Sequence, residues 1–288
     1  MQAGGNLGPA VLNAFLKESS FNTSVLSRQG SKSTFPSGVK VLHADYKSVS
    51  SLKDAFEGQD AVISLVAGVA LGDQNKLIDA AIEAGVKRFV PSEFGSNTSD
   101  KRIREIVPIF EAKISTMNYL KSKERDISWT SVITGAFFDW GLKVGFLGFD
   151  GSTKTATIYD DGKAVISATN LHQVGITLIK SLEKADLTRN QIVYVSSFQT
   201  SQKEILDLAE KASGEKWTVS HQATAKLLED GRSKLQKGDF SAIVDLIRVV
   251  LFDAGANLGK LSPEDLWNDR LDLPQEDIEA TVRTALSG

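Results

Sequence analysis

The chain has 288 residues, of which 41% are apolar and 24% are charged, and its 33 basic and 36 acidic residues give a formal charge of −3. This composition excludes a disordered chain and lacks the basic excess that nucleic-acid binding requires. Because there are no cysteines and only three scattered histidines, disulfides and thiol nucleophiles are excluded and no metal site is predicted.

The sequence has no apolar run long enough to cross a bilayer, and its first residues lack the basic and apolar segments of a secretory signal. We therefore expect a cytoplasmic protein that has neither a membrane nor a nucleic acid as partner.

Helical and β-prone segments alternate through the first half of the chain. Helices are predicted over 9–18, 48–56, 73–84 and 106–123, and strands over 23–27, 39–43, 61–66, 87–90 and 128–134. Alternation at this spacing predicts the α/β class, with a doubly wound, Rossmann-like parallel sheet.

The regular alternation fades beyond about Phe137. Residues 1–140 are predicted to form the dinucleotide-binding domain. Residues 141–288 are predicted to be mainly a smaller substrate-binding lobe, with some segments returning to the first domain.

A glycine cluster, Gly4-Gly5-Asn6-Leu7-Gly8, opens the first helix. Glycines allow the backbone to approach a pyrophosphate, and a helix amino terminus stabilises its charge. We predict that Gly5, Asn6, Leu7 and Gly8 bind a dinucleotide; the alternative is a flexible glycine-rich terminus.

Basic residues follow the strand predicted at 23–27. A dinucleotide-binding fold reads the adenosine ribose at this point, where an acid favours NAD and an arginine accommodates the 2′-phosphate of NADP. Arg28 and Lys32 therefore predict NADPH, against the alternative of a solvated basic loop. Asp45, after the next strand, could lie near the adenine or simply begin a helix.

The segment Pro91-Ser92-Glu93-Phe94 ends the strand predicted at 87–90. Open α/β sheets bind ligands at the carboxyl ends of their strands, so we predict that these four residues contact the cofactor. A turn without a ligand could also use proline and glycine here.

Lys113 is predicted to lie on the helix that follows. A lysine near a nicotinamide can bond the ribose, hold or relay a proton and stabilise an oxyanion, so Lys113 is the candidate catalytic and cofactor-binding residue. The alternative is a solvated surface lysine. Ile109 stands four residues earlier, so a Tyr-x-x-x-Lys motif is absent.

An aromatic cluster follows the strand predicted at 128–134. Phe137, Phe138 and Trp140 could form the wall of an apolar pocket for a flat substrate, or they could be ordinary core residues.

Four sequence features together resemble the NmrA-like, isoflavone reductase-like group of atypical short-chain dehydrogenases. They are GGNLG, GVKRFVPSEFG at 85–95, Lys113, and WTSVITGAFFDWG at 129–141, while FLGFDGSTKTATIY at 146–159 is similar to fungal members. The resemblance implies a Rossmann-like domain that binds NADPH, a substrate lobe, and a catalytic lysine at Lys113.

The chain departs from this pattern in two places. Ile114-Ser115-Thr116 replaces basic residues, and only Met1-Gln2-Ala3 precede the glycines, where relatives have a hydrophobic central strand. We expect such a change to cost several kcal/mol of apolar burial, on the scale of ~25 cal/mol per Å². A misassigned start, a truncated chain and a degenerate homologue are competing explanations.

The predicted function is an NADPH-dependent reductase of a small aromatic or conjugated carbonyl-type compound, similar to phenylpropanoids. The alternative is a non-catalytic NADP sensor that binds a protein partner.

Overall fold

The computed structural model describes residues 5–287 of the chain. Within them, the strands are β1 (Ser24–Arg28), β2 (Lys40–Ala44), β3 (Ala61–Ile63), β4 (Arg88–Val90), β5 (Ser128–Ile133), β6 (Ala136–Phe137), β7 (Phe149–Asp150), β8 (Thr155–Tyr159), β9 (Val165–Thr169), β10 (Gln191–Tyr194), β11 (Phe198–Ser201) and β12 (Thr218–Gln222).

Helices connect and cover these strands. They are α1 (Gly8–Glu18), α2 (Val49–Phe56), α3 (Gln74–Glu83), α4 (Lys101–Ile106), α5 (Glu111–Ser122), α6 (Phe138–Lys143), α7 (Leu171–Glu183), α8 (Gln202–Ser213), α9 (Thr224–Gln236), α10 (Ala242–Phe252) and α11 (Ile278–Leu286), with 3-10 turns at Gly68–Asp73, Pro108–Phe110 and Pro263–Asp265.

Parallel strands form the first half of the fold. β3, β4, β5 and β10 make a four-stranded sheet in the order β10-β5-β4-β3, and β1 pairs in parallel with β2 in a separate sheet. β10 comes from the second half of the chain and pairs in parallel with β5. The predictions about residues 1–4, including Gly4, fall outside the described residues.

Helices cover both faces of the four-stranded sheet. On one face Phe89 packs with side chains of α2, α3 and α5, and on the other Val90 packs with side chains of α1 and α7. Successive strand residues point to opposite faces, so a strand covered on both sides is apolar throughout. The predicted α/β class with a doubly wound parallel sheet is confirmed.

The helix predicted over 106–123 is wrong as one element. α4 ends at Ile106, and a 3-10 turn from Pro108 separates it from α5. Proline has no N–H to donate and disfavours helical geometry in the residue before it, and Val107 accordingly adopts φ −119° and ψ 81°. The break turns the chain before Lys113 enters its helix.

Two further sheets have three strands each, β11-β9-β6 and β12-β8-β7. An apolar cluster joins α6, α8, α10 and α11 to these strands through residues such as Phe138, Phe198 and Phe252. α4 and the turn at Pro108–Phe110 pack on α10 through Ile103, Phe110 and Val250, so this part of the chain contacts the segment just ahead of α5.

α1 is held against α7 at a close contact between small residues. A Cβ placed on Gly175 would lie 2.6 Å from the Cβ of Ala14, closer than two such atoms can approach. Glycine at this position therefore sets how closely α1 lies on α7 and on the sheet below them.

We expect Gly175→Ala to lower the free energy of unfolding by about 1–2 kcal/mol, because the added methyl group must push α1 away from α7. Urea denaturation measures the change. Gly72→Ala is the matched control, since no atom lies within 4 Å of a Cβ built there. Equal stability of the Gly175 and Gly72 variants would contradict this account of the helix contact.

Candidate active site at the carboxyl ends of the strands

The amino terminus of α1 lies at the carboxyl edge of the sheet. Leu7, directly ahead of α1, packs in one cluster with Leu65, Val90 and Phe94, which lie after β3 and at the end of β4. This apolar contact places Gly5, Asn6 and Gly8 beside the ends of β3 and β4.

The first turn of α1 has free hydrogen-bonding capacity for an anion. Within the described residues no side chain caps α1 at Leu7, and Pro9 occupies a first-turn position. A helix amino terminus leaves N–H groups without intrahelical partners, and the helix dipole attracts negative charge there. The arrangement of Leu7 and Gly8 therefore fits a phosphate group.

Arg28 and Lys32 lie on the surface beyond the end of β1. Both side chains are exposed, and within residues 5–287 neither forms an ion pair. Tyr46 lies near Arg28: burial raises the pKa of Tyr46 to about 12, and the charge of Arg28 opposes this shift. Asp45 accepts a 2.9 Å hydrogen bond from the backbone N–H of Lys47, which favours its structural interpretation.

Buried hydrogen bonds fix the turn after β4. The Ser92 hydroxyl donates to the backbone carbonyl of Val66 over 2.6 Å, and the Ser92 N–H donates to the side chain of Gln74 over 2.8 Å. Phe94 is buried with φ +21°, an uncommon value for a residue other than glycine. Ser92 and Phe94 thus shape the edge, and Pro91 is buried with them.

Lys113 and Glu93 form the chemical centre of this edge. The ammonium group of Lys113 donates a short hydrogen bond to the backbone carbonyl of Glu93, and only 7% of Lys113 is exposed. Its Nζ also lies 5.0 Å from the ring centroid of Phe110. The Glu93 carboxylate accepts from Thr98 Oγ1 at 2.7 Å, while its other oxygen, Oε1, is buried with no hydrogen-bond partner among the described residues.

Burial brings the pKa values of Lys113 and Glu93 closer together. It lowers the pKa of Lys113, against the opposing charge of Glu93, and it raises the pKa of Glu93, against the charge of Lys113 and the bond from Thr98. Lys113 also lies in the first turn of α5, where the positive end of the helix dipole disfavours an ammonium. Shifted pKa values of two buried neighbouring groups are frequent at functional sites.

The aromatic residues predicted to contact substrate divide into two groups. Phe137 and Trp140 are partly exposed and meet edge to face at 6.4 Å, and Trp140 continues to Phe146 at 5.8 Å. Phe138, in contrast, is 0% exposed and packs on Phe198 at 5.0 Å, so its ring belongs to the apolar cluster around α6, α8 and α10.

The structure also brings residues to this edge that the sequence reasoning did not identify. Thr98 bonds Glu93, and Tyr194, the last residue of β10, lies near Asn97 and Ser99. Burial raises the pKa of Tyr194. The strand at 191–194 could have indicated Tyr194, because strands of one parallel sheet end at the same edge.

Comparisons with known proteins identify the family. The model of the NmrA-like family matches residues 1–236. The chain belongs to the NmrA-like family. The oxidoreductase aprR of Aspergillus flavus is 34% identical over 289 residues, covering 99% of this chain and 97% of that protein. Phenylcoumaran benzylic ether reductase of Betula pendula is 32% identical over 201 residues, covering 67% and 64%.

Solved structures share the fold of this NmrA-like chain. Leucoanthocyanidin reductase of Vitis vinifera, in binary complex with NADPH, gives a TM-score of 0.81 at 19% identity and covers 99% of this chain and 98% of that one. AtPrR2 with NADP+ and (+)-pinoresinol gives 0.75 at 21% identity, covering 98% and 96%.

The predicted family and fold class are thereby confirmed, and the names of the relatives agree with the prediction of an oxidoreductase. The domain boundary at residue 140 and the roles of the individual site residues stay predictions. Among the described residues, no helix is long and apolar enough to cross a membrane.

Removing the charge of Glu93 should move the titration of Lys113 to lower pH. The carboxylate raises the pKa of Lys113 against burial, so Glu93→Gln leaves burial unopposed. NMR of ¹³C-labelled lysine side chains across a pH series measures the shift. Glu111→Gln, an exposed carboxylate on the same helix, is the control and should have little effect. An unchanged Lys113 titration in Glu93→Gln would refute the electrostatic coupling.

Proposed function

We propose that this chain is an NADPH-dependent reductase of a small aromatic or conjugated carbonyl-type compound, with Lys113 as its catalytic residue. The observation that carries the proposal is the buried amine of Lys113, held on the Glu93 carbonyl at the carboxyl edge of the sheet. A lysine that is buried there, with a lowered pKa, matches general acid–base chemistry better than a surface role.

The residues at this edge fit a dinucleotide phosphate. Gly5, Leu7 and Gly8 would hold the pyrophosphate at the uncapped start of α1, and Arg28 with Lys32 would hold the 2′-phosphate. The NADPH and NADP+ in the two similar structures support this assignment. When bound, NADPH supplies the hydride.

Lys113 would handle the proton that accompanies reduction. Its Nζ can donate a proton to the substrate oxygen, or stabilise negative charge on that oxygen, as hydride arrives. The Glu93 carbonyl keeps Nζ at the edge, and the Glu93 carboxyl, with its raised pKa, lies close enough to influence the charge of the amine.

The substrate class is inferred from the aromatic surface and from the relatives. Phe137 and Trp140 present partly exposed rings at the lobe junction, which suits a flat apolar compound. Their proposed ligand is phenylpropanoid-like, in line with the pinoresinol bound to AtPrR2 and with the ether named in the Betula pendula reductase.

Lys113→Ala should retain NADPH binding and lose turnover by about 100-fold or more, since it removes the proton-transferring group. Calorimetric titration with NADPH and oxidation of NADPH with a panel of enones and quinone methides measure the two effects. Lys121→Ala, an exposed lysine on the same helix, is the control.

Full turnover by Lys113→Ala would remove Lys113 from the mechanism. If the unchanged chain oxidised NADPH with no member of the panel, yet bound a protein in an NADP-dependent way, the sensor would replace the reductase as the proposed function.

Arg28→Ala should weaken NADPH binding by about tenfold or more and leave NADH binding unchanged, because a charge-assisted bond to the 2′-phosphate contributes about 1.5–3 kcal/mol. Calorimetry with each cofactor measures both affinities. Arg125→Ala, an exposed arginine ahead of β5, is the matched control. Equal losses for NADPH and NADH would show that Arg28 does not read the 2′-phosphate.

A further inference from the structure

Three partly exposed rings form a row that starts at the candidate site. Phe137 packs in one cluster with Phe94, which follows Glu93 at the carboxyl edge. From Phe137 the row continues to Trp140 and then to Phe146, whose ring centroid lies 5.8 Å from that of Trp140. We call Phe137, Trp140 and Phe146 the aromatic row, and Phe146 ends it.

The last ring of the row lies in a turn and not in a helix or strand. Phe146 comes after the end of α6 and before the start of β7. Gly145 and Gly148 lie on either side of it with φ +71° and +93°, a region that glycine reaches without strain and that gives a turn wide conformational freedom. The position of the Phe146 ring therefore depends on contacts from elsewhere in the chain.

Arg248 of α10 supplies such contacts. Its Nε donates to the backbone carbonyl of Phe146 over 3.0 Å, and its Nη2 donates to that of Gly145 over 3.4 Å. The guanidinium carbon also lies 5.5 Å from the centroid of the Phe146 ring, and a cation over an aromatic ring is attracted to it. One side chain thus holds both the backbone and the ring of Phe146.

The guanidinium of Arg248 is itself fixed. Its Nη1 donates to Asp245 Oδ1 over 3.0 Å, and the two side chains are only 22% and 21% exposed. Leu246 and Val249, on the same helix, are 0% and 1% exposed, so α10 is anchored in the core. Arg248 therefore ties the turn at Phe146 to a rigid element.

The same helix packs beside the proposed catalytic amine. Ile247, next to Arg248, packs against both the cluster of Phe138 and the cluster of Phe110. The ring centroid of Phe110 lies 5.0 Å from Nζ of Lys113. α10 thus supports the surroundings of Lys113 and the end of the aromatic row together.

We propose that Arg248 is a positioning residue, which fixes Phe146 beside Trp140 and so sets the affinity for the part of a substrate that extends beyond its first aromatic ring. The inference rests on the proposed function for the class of ligand. Phe137 and Trp140 suffice for one ring, whereas a second ring gains its apolar contact area from Phe146. Releasing Phe146 should therefore weaken the binding of longer compounds selectively.

Fluorine NMR of the chain labelled with fluorotryptophan tests the positioning itself. Arg248→Met removes the carbonyl bonds and the cation but keeps a long side chain, and Arg232→Met, at an exposed arginine on α9, is the matched control. Trp140→Phe identifies the Trp140 signal. Arg248→Met should shift or broaden that signal and leave the signal of Trp129 in β5 unchanged, while the control should change neither. An unchanged Trp140 signal in Arg248→Met would overturn the proposal.

Substrate discrimination tests the consequence. Chalcone and benzylideneacetone are conjugated ketones with two aromatic rings and one. Arg248→Met should raise KM for chalcone by about tenfold or more and leave KM for benzylideneacetone and both kcat values within about twofold, because uniform binding lost from ground and transition states appears in KM. Arg248→Lys should fall between, since lysine keeps the charge but lacks the planar fork, and it serves as the test if Arg248→Met does not fold. Equal rises in KM for the two ketones would contradict a role in reading substrate length.

Equilibrium binding separates this inference from the proposed reductase activity. If the unchanged chain oxidises NADPH with neither ketone, calorimetric dissociation constants replace KM, and the same tenfold weakening is expected for chalcone with Arg248→Met. That result without turnover would reject the reductase and retain the role of Arg248. An unchanged chain that binds no chalcone, or binds it as Arg248→Met does, would overturn the role of Arg248 whether or not the chain is a reductase.

Discussion

The turn after β4 is the constraint on which the candidate site depends. Ser92 ties it to Val66 and Gln74, so the ends of β3 and β4 and the start of α3 are held together. The same turn presents the backbone carbonyl of Glu93 to Lys113. Because backbone atoms hold the amine, its position depends on the sheet and not on a mobile side chain.

Burial of two ionisable groups at this turn has a chemical consequence. Removing a charge from water is costly unless opposite charges and hydrogen bonds compensate for it. Glu93 is only partly compensated, because Thr98 bonds one carboxylate oxygen and the other has no partner among the described residues. Such a pair adds little to the free energy of unfolding. Shifted pKa values of this kind are typical of functional sites.

The sequence predicted the fold well because its signals are local. Alternating apolar segments, glycine and proline positions, and the family motifs all report on short stretches, and they located the sheet and the turn after β4. The break at Pro108 was missed although its cause is local, since the apolar periodicity continues on both sides. The sequence did not show that Phe137 is partly exposed while Phe138 is buried, because burial of Phe138 depends on packing against Phe198 from a distant strand. Tyr194 reaches the edge only because β10 returns to the sheet.

α1 connects the two edges of the sheet. Its first turn lies at the carboxyl edge, in one apolar cluster with Leu65 and Val90, while its end leads back to the start of β1 at the opposite edge. Gly175 sets how closely α1 lies on α7. A substitution that pushes α1 away from α7 would therefore shift the same backbone that is proposed to bind phosphate, so the packing of α1 and the nucleotide affinity should change together.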